Sequence, residues 1–183
     1  GVAMLDYMSS EIKSPNNKDI INELKELILT TRPRIVYTHN LLDRHDTHVA
    51  AALRTIRAFR ELSPDYKPEK LYGCEVWRGL DWLNDEDKIV FDVSSHTNIA
   101  TSLLGVFDSQ INGGKRYDLA TAGRRLANAT YSKSHETDKS SLLAYAIDLT
   151  PLIWDIDIDI SEYVQEYIRR FSQDTDNRLK KLL

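Results

Sequence analysis

The fold turns on Ile35-Val36-Tyr37-Thr38-His39-Asn40-Leu41-Leu42-Asp43-Arg44-His45-Asp46-Thr47-His48. Ile35-Val36-Tyr37 is a short β-branched and aromatic run, which fits an interior parallel strand. The stretch from Thr38 to His48 is polar. Beyond it Val49, Leu53, Ile56, Phe59 and Leu62 recur at helical spacing, the pattern of an amphipathic helix. Upstream, Ile20, Ile21, Leu24, Leu27 and Ile28 mark another such helix, introduced by the turn cluster Ser14-Pro15-Asn16-Asn17. Pro33 ends it, because the residue before a proline is pushed out of helical geometry. Val2 to Tyr7 reads as a buried strand. Strand, helix, strand, helix in this order predicts parallel strands with crossover helices, hence an α/β fold.

Further along, Lys70 to Trp77 and Lys88 to Val93 read as strands, with a solvated loop at Asn84-Asp85-Glu86-Asp87 between them. Ser94 or Ser95 is expected to cap a helix with the stripe Ile99, Leu103, Val106, Phe107 and Ile111, stopped by Gly113-Gly114. A helix from about Tyr117 to Tyr131, a strand from Leu142 to Leu149 and a last polar helix from near Ser161 complete the chain. Ile156, Ile158 and Ile160 alternate with aspartates, which suits a strand edge.

The chain has 183 residues, enough for one domain with a real core. Its 28 acidic and 24 basic residues give a net charge of -4, which argues against nucleic-acid or anionic-membrane binding through bulk charge. One cysteine, Cys74, excludes an intrachain disulfide and a cysteine-rich zinc site. No apolar run approaches a membrane span and no signal peptide is visible, so a cytoplasmic protein is expected.

Chemistry in open parallel sheets gathers beyond the carboxyl ends of the strands. The loop leaving Tyr37 lies there, and it holds three of the five histidines, His39, His45 and His48, with Asp43, Arg44 and Asp46 among them. His45 and His48, three apart, share a face in helical geometry. Imidazole is the commonest metal ligand, and a helix start favours its neutral, metal-binding form. The competing reading is a polar loop in which Asp46 or Thr47 caps the helix. The His-x-His-x-Asp-His spacing of metallo-β-lactamases is not met.

Arg32-Pro33-Arg34-Ile35-Val36-Tyr37-Thr38-His39-Asn40, followed by Asp43-Arg44-His45-Asp46-Thr47-His48, resembles the second signature of the PIG-L (LmbE-like) deacetylase family. Asp92-Val93-Ser94 and Phe107-Asp108-Ser109-Gln110 are similar to its later region. The resemblance implies a Rossmann-like, mostly parallel sheet flanked by helices, and zinc-dependent removal of acetyl groups from N-acetylated amino sugars or glycosides. It implies His48 as a metal ligand. His45 would be a catalytic imidazolium at the oxyanion, Asp43 a catalytic or supporting carboxylate and Arg44 a substrate contact. A small N-acetylated sugar is then the partner, and a homo-oligomer is compatible with this reading.

Two departures stand out. The family's Pro-Asp between its histidines is Asp46-Thr47 here, and its Ala-His-x-Asp-Asp signature, which supplies two metal ligands and the general base, does not occur. The expectation is therefore residues 1–183 as the C-terminal part of such a domain, without its first strands. Alone it is expected to bind zinc weakly, through His48 and one neighbour, and to catalyse nothing. A non-catalytic sugar- or metal-binding domain is the alternative, and an interaction domain with incidental histidines a third reading.

Other residues have blander expectations. Trp77 is expected to pack on the sheet, His39 to hydrogen-bond near the loop, and His96 to serve at a helix start. Cys74 reads as a small buried hydrophobe. Lys115-Arg116-Tyr117 reads as a solvated helix start and His135-Glu136-Thr137-Asp138 as a loop.

Overall fold

Residues 1–75 and 77–183 are described by a computed structural model of the chain. Their elements, in order, are α1 (Ser9–Lys13), α2 (Lys18–Thr31), β1 (Ile35–His39), α3 (Asp46–Arg60), β2 (Lys70–Cys74), β3 (Ile89–Asp92), α4 (Thr97–Gly105), α5 (Asp108–Asn112), α6 (Tyr117–Tyr131), β4 (Leu143–Asp148), α7 (Pro151–Trp154) and α8 (Ile160–Leu182). The strand order is β1-β2-β4-β3. β1 pairs with β2 in parallel and β2 with β4 antiparallel. The architecture is therefore α/β with a mixed sheet, where a mostly parallel one is expected from sequence. Among the described residues no helix is long and apolar enough to cross a membrane.

The chain forms two compact units. The first comprises Gly1–Lys88 with Ala146–Leu183, the second Ile89–Tyr145. In the first, α2 and α3 form as their periodicity demands. Asn17 caps α2 by accepting the Asp19 amide, and Arg32 closes it in the left-handed conformation, just ahead of Pro33. α3 packs on α1, α2, β1 and α7. It buries Ala52, Ile56 and Ala58 completely, and Phe59 to 1 % exposure. Leu71, Ile147, Leu149, Leu152 and Ile153 complete that core. Arg60, at the end of α3, ties the segment after β4 to it, donating to the carbonyls of Leu152 (2.5 Å), Ile158 (2.8 Å) and Asp155 (3.4 Å).

Gly73 in β2 sets how closely the loop after β1 can approach. A Cβ there would lie 2.8 Å from Leu149 Cδ1 and 3.0 Å from Asn40 Cα. A side chain at 73 would push the loop off the strand.

In the second unit, α6 is fastened to the start of β4 by the buried Asn128. Its Nδ2 donates to the Leu143 carbonyl (3.1 Å), and its own carbonyl accepts the Tyr145 hydroxyl (2.9 Å). Ser140 donates to Asp92 at the end of β3 (2.7 Å).

Several expectations are corrected. Val2 to Tyr7 is not a strand: no strand is assigned before α1, and Val2 and Met4 are more than nine-tenths exposed. An apolar run of six residues has no strand character without a ladder to join. β1 is parallel but stands at the end of the strand order, and Ile35 and Tyr37 are half exposed, so it is not interior. Of the strand expected over Lys70 to Trp77, the structure keeps Lys70–Cys74, and Val76 lies outside the described residues. The run from Ile156 to Ile160 is not a strand: residues 156–159 turn into α8, which begins at Ile160. Asp155 accepts the Asp157 amide (2.9 Å) and Asp159 caps the helix through the Glu162 amide (2.8 Å). These aspartates spend their oxygens on local backbone, the competition that draws such residues out of strands.

Neither Ser94 nor Ser95 caps α4. The Ser94 amide is held by Asp92 (2.9 Å), its hydroxyl accepts the amides of Ser141 and Leu142 (both 3.1 Å), and the cap position falls to His96. The expected long helix breaks into α4 and α5, and its stripe at Ile99, Leu103, Val106 and Phe107 is exposed.

Candidate metal centre

β1 delivers His39 at its carboxyl end, opposite Cys74 in the parallel register. The Asn40 amide donates to the Cys74 carbonyl (2.9 Å), which carries the pairing one step beyond the strand. Asn40 Oδ1 then accepts the Leu42 amide (2.5 Å), turning the chain back toward α3. This side-chain-to-backbone turn is typical of asparagine.

Asp43 organises the chain beyond this turn. Its side chain is 1 % exposed. Oδ1 accepts the His45 amide at 2.8 Å, and Oδ2 lies 3.1 Å from His48 Nδ1. The tautomer of His48 decides which partner donates in this contact. A carboxylate behind a histidine in this way orients it and raises its basicity as a metal ligand.

The aromatic side chains form a row. His39 and His48 stack with centroids 4.0 Å apart and planes 4° from parallel. His45 lies 5.1 Å from His48 on one side and 4.8 Å from Trp77 on the other. His45 and His48 are thus neighbours at the start of α3, as their spacing predicts. The Trp77 ring lies against His45, past the last residue of β2.

Burial, with the neighbouring His48, holds the His39 imidazole below its ordinary pKa, against the opposing pull of Asp43. The shift favours the neutral ring, the form that ligates metal. One ligand atom each from His39, Asp43 and His48 lies within 4.8 Å of the other two. Two nitrogen or oxygen donors on one zinc sit about 3.4 Å apart, so donors at the outer limit of this group would have to close by about 1.4 Å to share one ion. Two imidazoles and a carboxylate are the donor chemistry that zinc accepts.

Of the residues expected at the site, Asp43 and His48 meet directly, His45 stands exposed at the mouth, and Arg44 is exposed with no hydrogen bond or ion pair to the other described residues. The capping alternative is not what the loop adopts. His45 occupies the cap position of α3, Asp46 lies in its first turn, and the Thr47 hydroxyl pairs with Ser9 Oγ at 2.6 Å.

Sequence reasoning missed two residues. It gave His39 a supporting role, whereas the structure brings it into the donor group. It passed over Glu75, which is buried beside Asn40 at the end of β2. Its position, just past an apolar strand and on the side where such sheets carry chemistry, was the available signal. Burial first, and then the charge of Asp43, push the Glu75 carboxyl above its ordinary range. No family model, no curated protein and no solved structure matches this chain.

Proposed function

We propose that this chain belongs to a zinc-dependent hydrolase that removes the N-acetyl group from an amino sugar or glycoside. The observation that carries the reading is the convergence of His39, Asp43 and His48 at the carboxyl end of a parallel strand. The likeness of residues 32–48 to the second PIG-L signature adds the reaction class. A bound zinc would supply a low pKa for water and polarisation of the amide carbonyl. His39, Asp43 and His48 would hold it. His45, exposed beside them, would donate to the developing oxyanion, where one preorganised donor is worth about 3 kcal/mol of barrier. Arg44, exposed next to it, would contact the sugar. One water is consumed, and acetate and the free amine are released.

The test is acetate release from an N-acetylglucosamine glycoside by the purified protein, with zinc present. Release that falls at least a hundredfold in His45→Ala, on the order expected for a lost oxyanion donor, supports the reading. No release by the parent protein overturns it.

A second reading, a non-catalytic sugar- or metal-binding domain, is favoured by one observation. Thr47, where the family has an aspartate, has its hydroxyl committed to Ser9. Saturable glycoside binding without acetate release would select this reading.

A further inference from the structure

The end of β2 holds a charge that the donor group of His39, Asp43 and His48 does not use. Glu75 is 9 % exposed, both its carboxylate oxygens are buried, and neither has a hydrogen-bond partner of normal geometry. The Asn40 side chain and the Arg78 backbone are close enough to draw its pKa down, yet burial and Asp43 prevail. Asn40, which is fully buried, likewise has no such partner for Nδ2. The two residues flank the hydrogen bond from the Asn40 amide to the Cys74 carbonyl. Asp43 follows three residues after Asn40, and its charge acts on the buried Glu75 carboxylate. Arg78 donates to the Leu42 carbonyl (2.8 Å), and its charge opposes the repulsion between the carboxylates without cancelling it.

A buried carboxylate without well-formed hydrogen bonds is among the costliest arrangements a protein can keep, and a second carboxylate nearby makes it worse. A positive charge at the neighbouring donor group reverses both terms. The donor group by itself brings one negative charge, from Asp43. A dication there leaves one positive charge over, and Glu75 matches it.

We propose that Glu75 is the second carboxylate of the centre formed by His39, Asp43 and His48, and that its charge tightens the binding of a divalent cation there. It acts from outside the donor group, since its oxygens are not among the ligand atoms that lie within 4.8 Å of one another. Glu75 is thus a positioning and charge-matching residue. The inference rests on the proposed metal centre and goes beyond it by giving that centre a fourth residue on a different strand's end.

Zinc titrations of the 183-residue chain by calorimetry, with cobalt(II) absorption as a second probe, test it at about pH 8. Glu75→Gln keeps the shape and removes the charge. The expected result is a ten- to hundredfold loss of zinc affinity, about the range seen when groups behind metal ligands are removed. The same variant without metal should have a higher Tm than the parent, because the bare buried charge is gone. A purely structural Glu75 predicts the opposite pair, a lower Tm and unchanged affinity. Either of those results, including a Glu75→Gln chain that no longer folds, overturns the proposal. Zinc binding by the parent chain that is lost in His48→Ala but unaltered in Glu75→Gln overturns this inference alone. Absence of zinc and cobalt binding in the parent overturns the metal centre with it.

Discussion

Asp43 and His48 are joined across one turn of chain, Oδ2 to Nδ1 at 3.1 Å, while the other oxygen of the same carboxylate accepts the His45 amide at 2.8 Å. One buried side chain thus holds both the His48 ring and the backbone that starts the next helix.

Replacing Asp43 by Asn keeps the shape but not the charge. Asn can present its oxygen to only one of these two donors and offers an NH₂ where the other acceptor was. Zinc affinity should fall about ten- to hundredfold, read by calorimetric titration. Far-ultraviolet circular dichroism should be unchanged, since most of α3 lies beyond the substitution.

Arg60 makes its contribution far from the site. Its three backbone acceptors at Leu152, Asp155 and Ile158 have no equivalent donor once the guanidinium is removed. Arg60→Ala should cost about 2 kcal/mol, the scale for stranding part-buried acceptors, measured by urea unfolding. Arg60→Lys recovers only part of this, because a single ammonium cannot reproduce the planar fork.

Asp148 gives an acid-side prediction. Burial alone would raise its carboxyl, but hydrogen bonds from Thr150 and the ammonium of Lys70 at 3.1 Å outweigh it and hold the carboxyl below its ordinary value. A depressed folded pKa means that the unfolded chain binds the proton more readily. The stabilisation is therefore complete above the ordinary carboxyl value of about 3.9 and is lost as pH falls through the folded value. Asp148→Asn should be less stable than the parent at neutral pH and should lose less stability on acidification, checked by urea midpoints across the acid range.

Cys74 should be a slow thiol. Burial pushes it up to about 11. At about pH 8 the reactive thiolate is then scarcer than in a free cysteine by about two orders of magnitude. Alkylation by iodoacetamide should be slower in the folded chain by about that factor, and urea should abolish the difference.

The sequence made α2 and α3 legible because each carries an apolar stripe at helical period, and β1 because its run is β-branched. The loop histidines were legible as a cluster for the same local reason. The segments at Val2 and Ile156 were misleading. Their apolar residues matched strand patterns, but strand formation depends on a partner, and the aspartates near Ile156 found local backbone donors first. His39 and Glu75 were missed as site residues because the register that sets His39 against Cys74 is a long-range fact. Nothing in the residues near 39 announces that β2 will end beside them.

Gly73 is the most demanding position near the site, though it carries no functional group. With Leu149 Cδ1 at 2.8 Å and Asn40 Cα at 3.0 Å from where a Cβ would stand, even alanine there forces Leu149 to move and the Asn40 backbone to give way. In a saturation library screened for zinc binding, position 73 should therefore appear intolerant to every replacement, like a ligand, while Arg44 accepts many. A conservation-blind screen would rank this glycine among the functional residues, and it would be right about the phenotype for a reason that lies wholly in clearance.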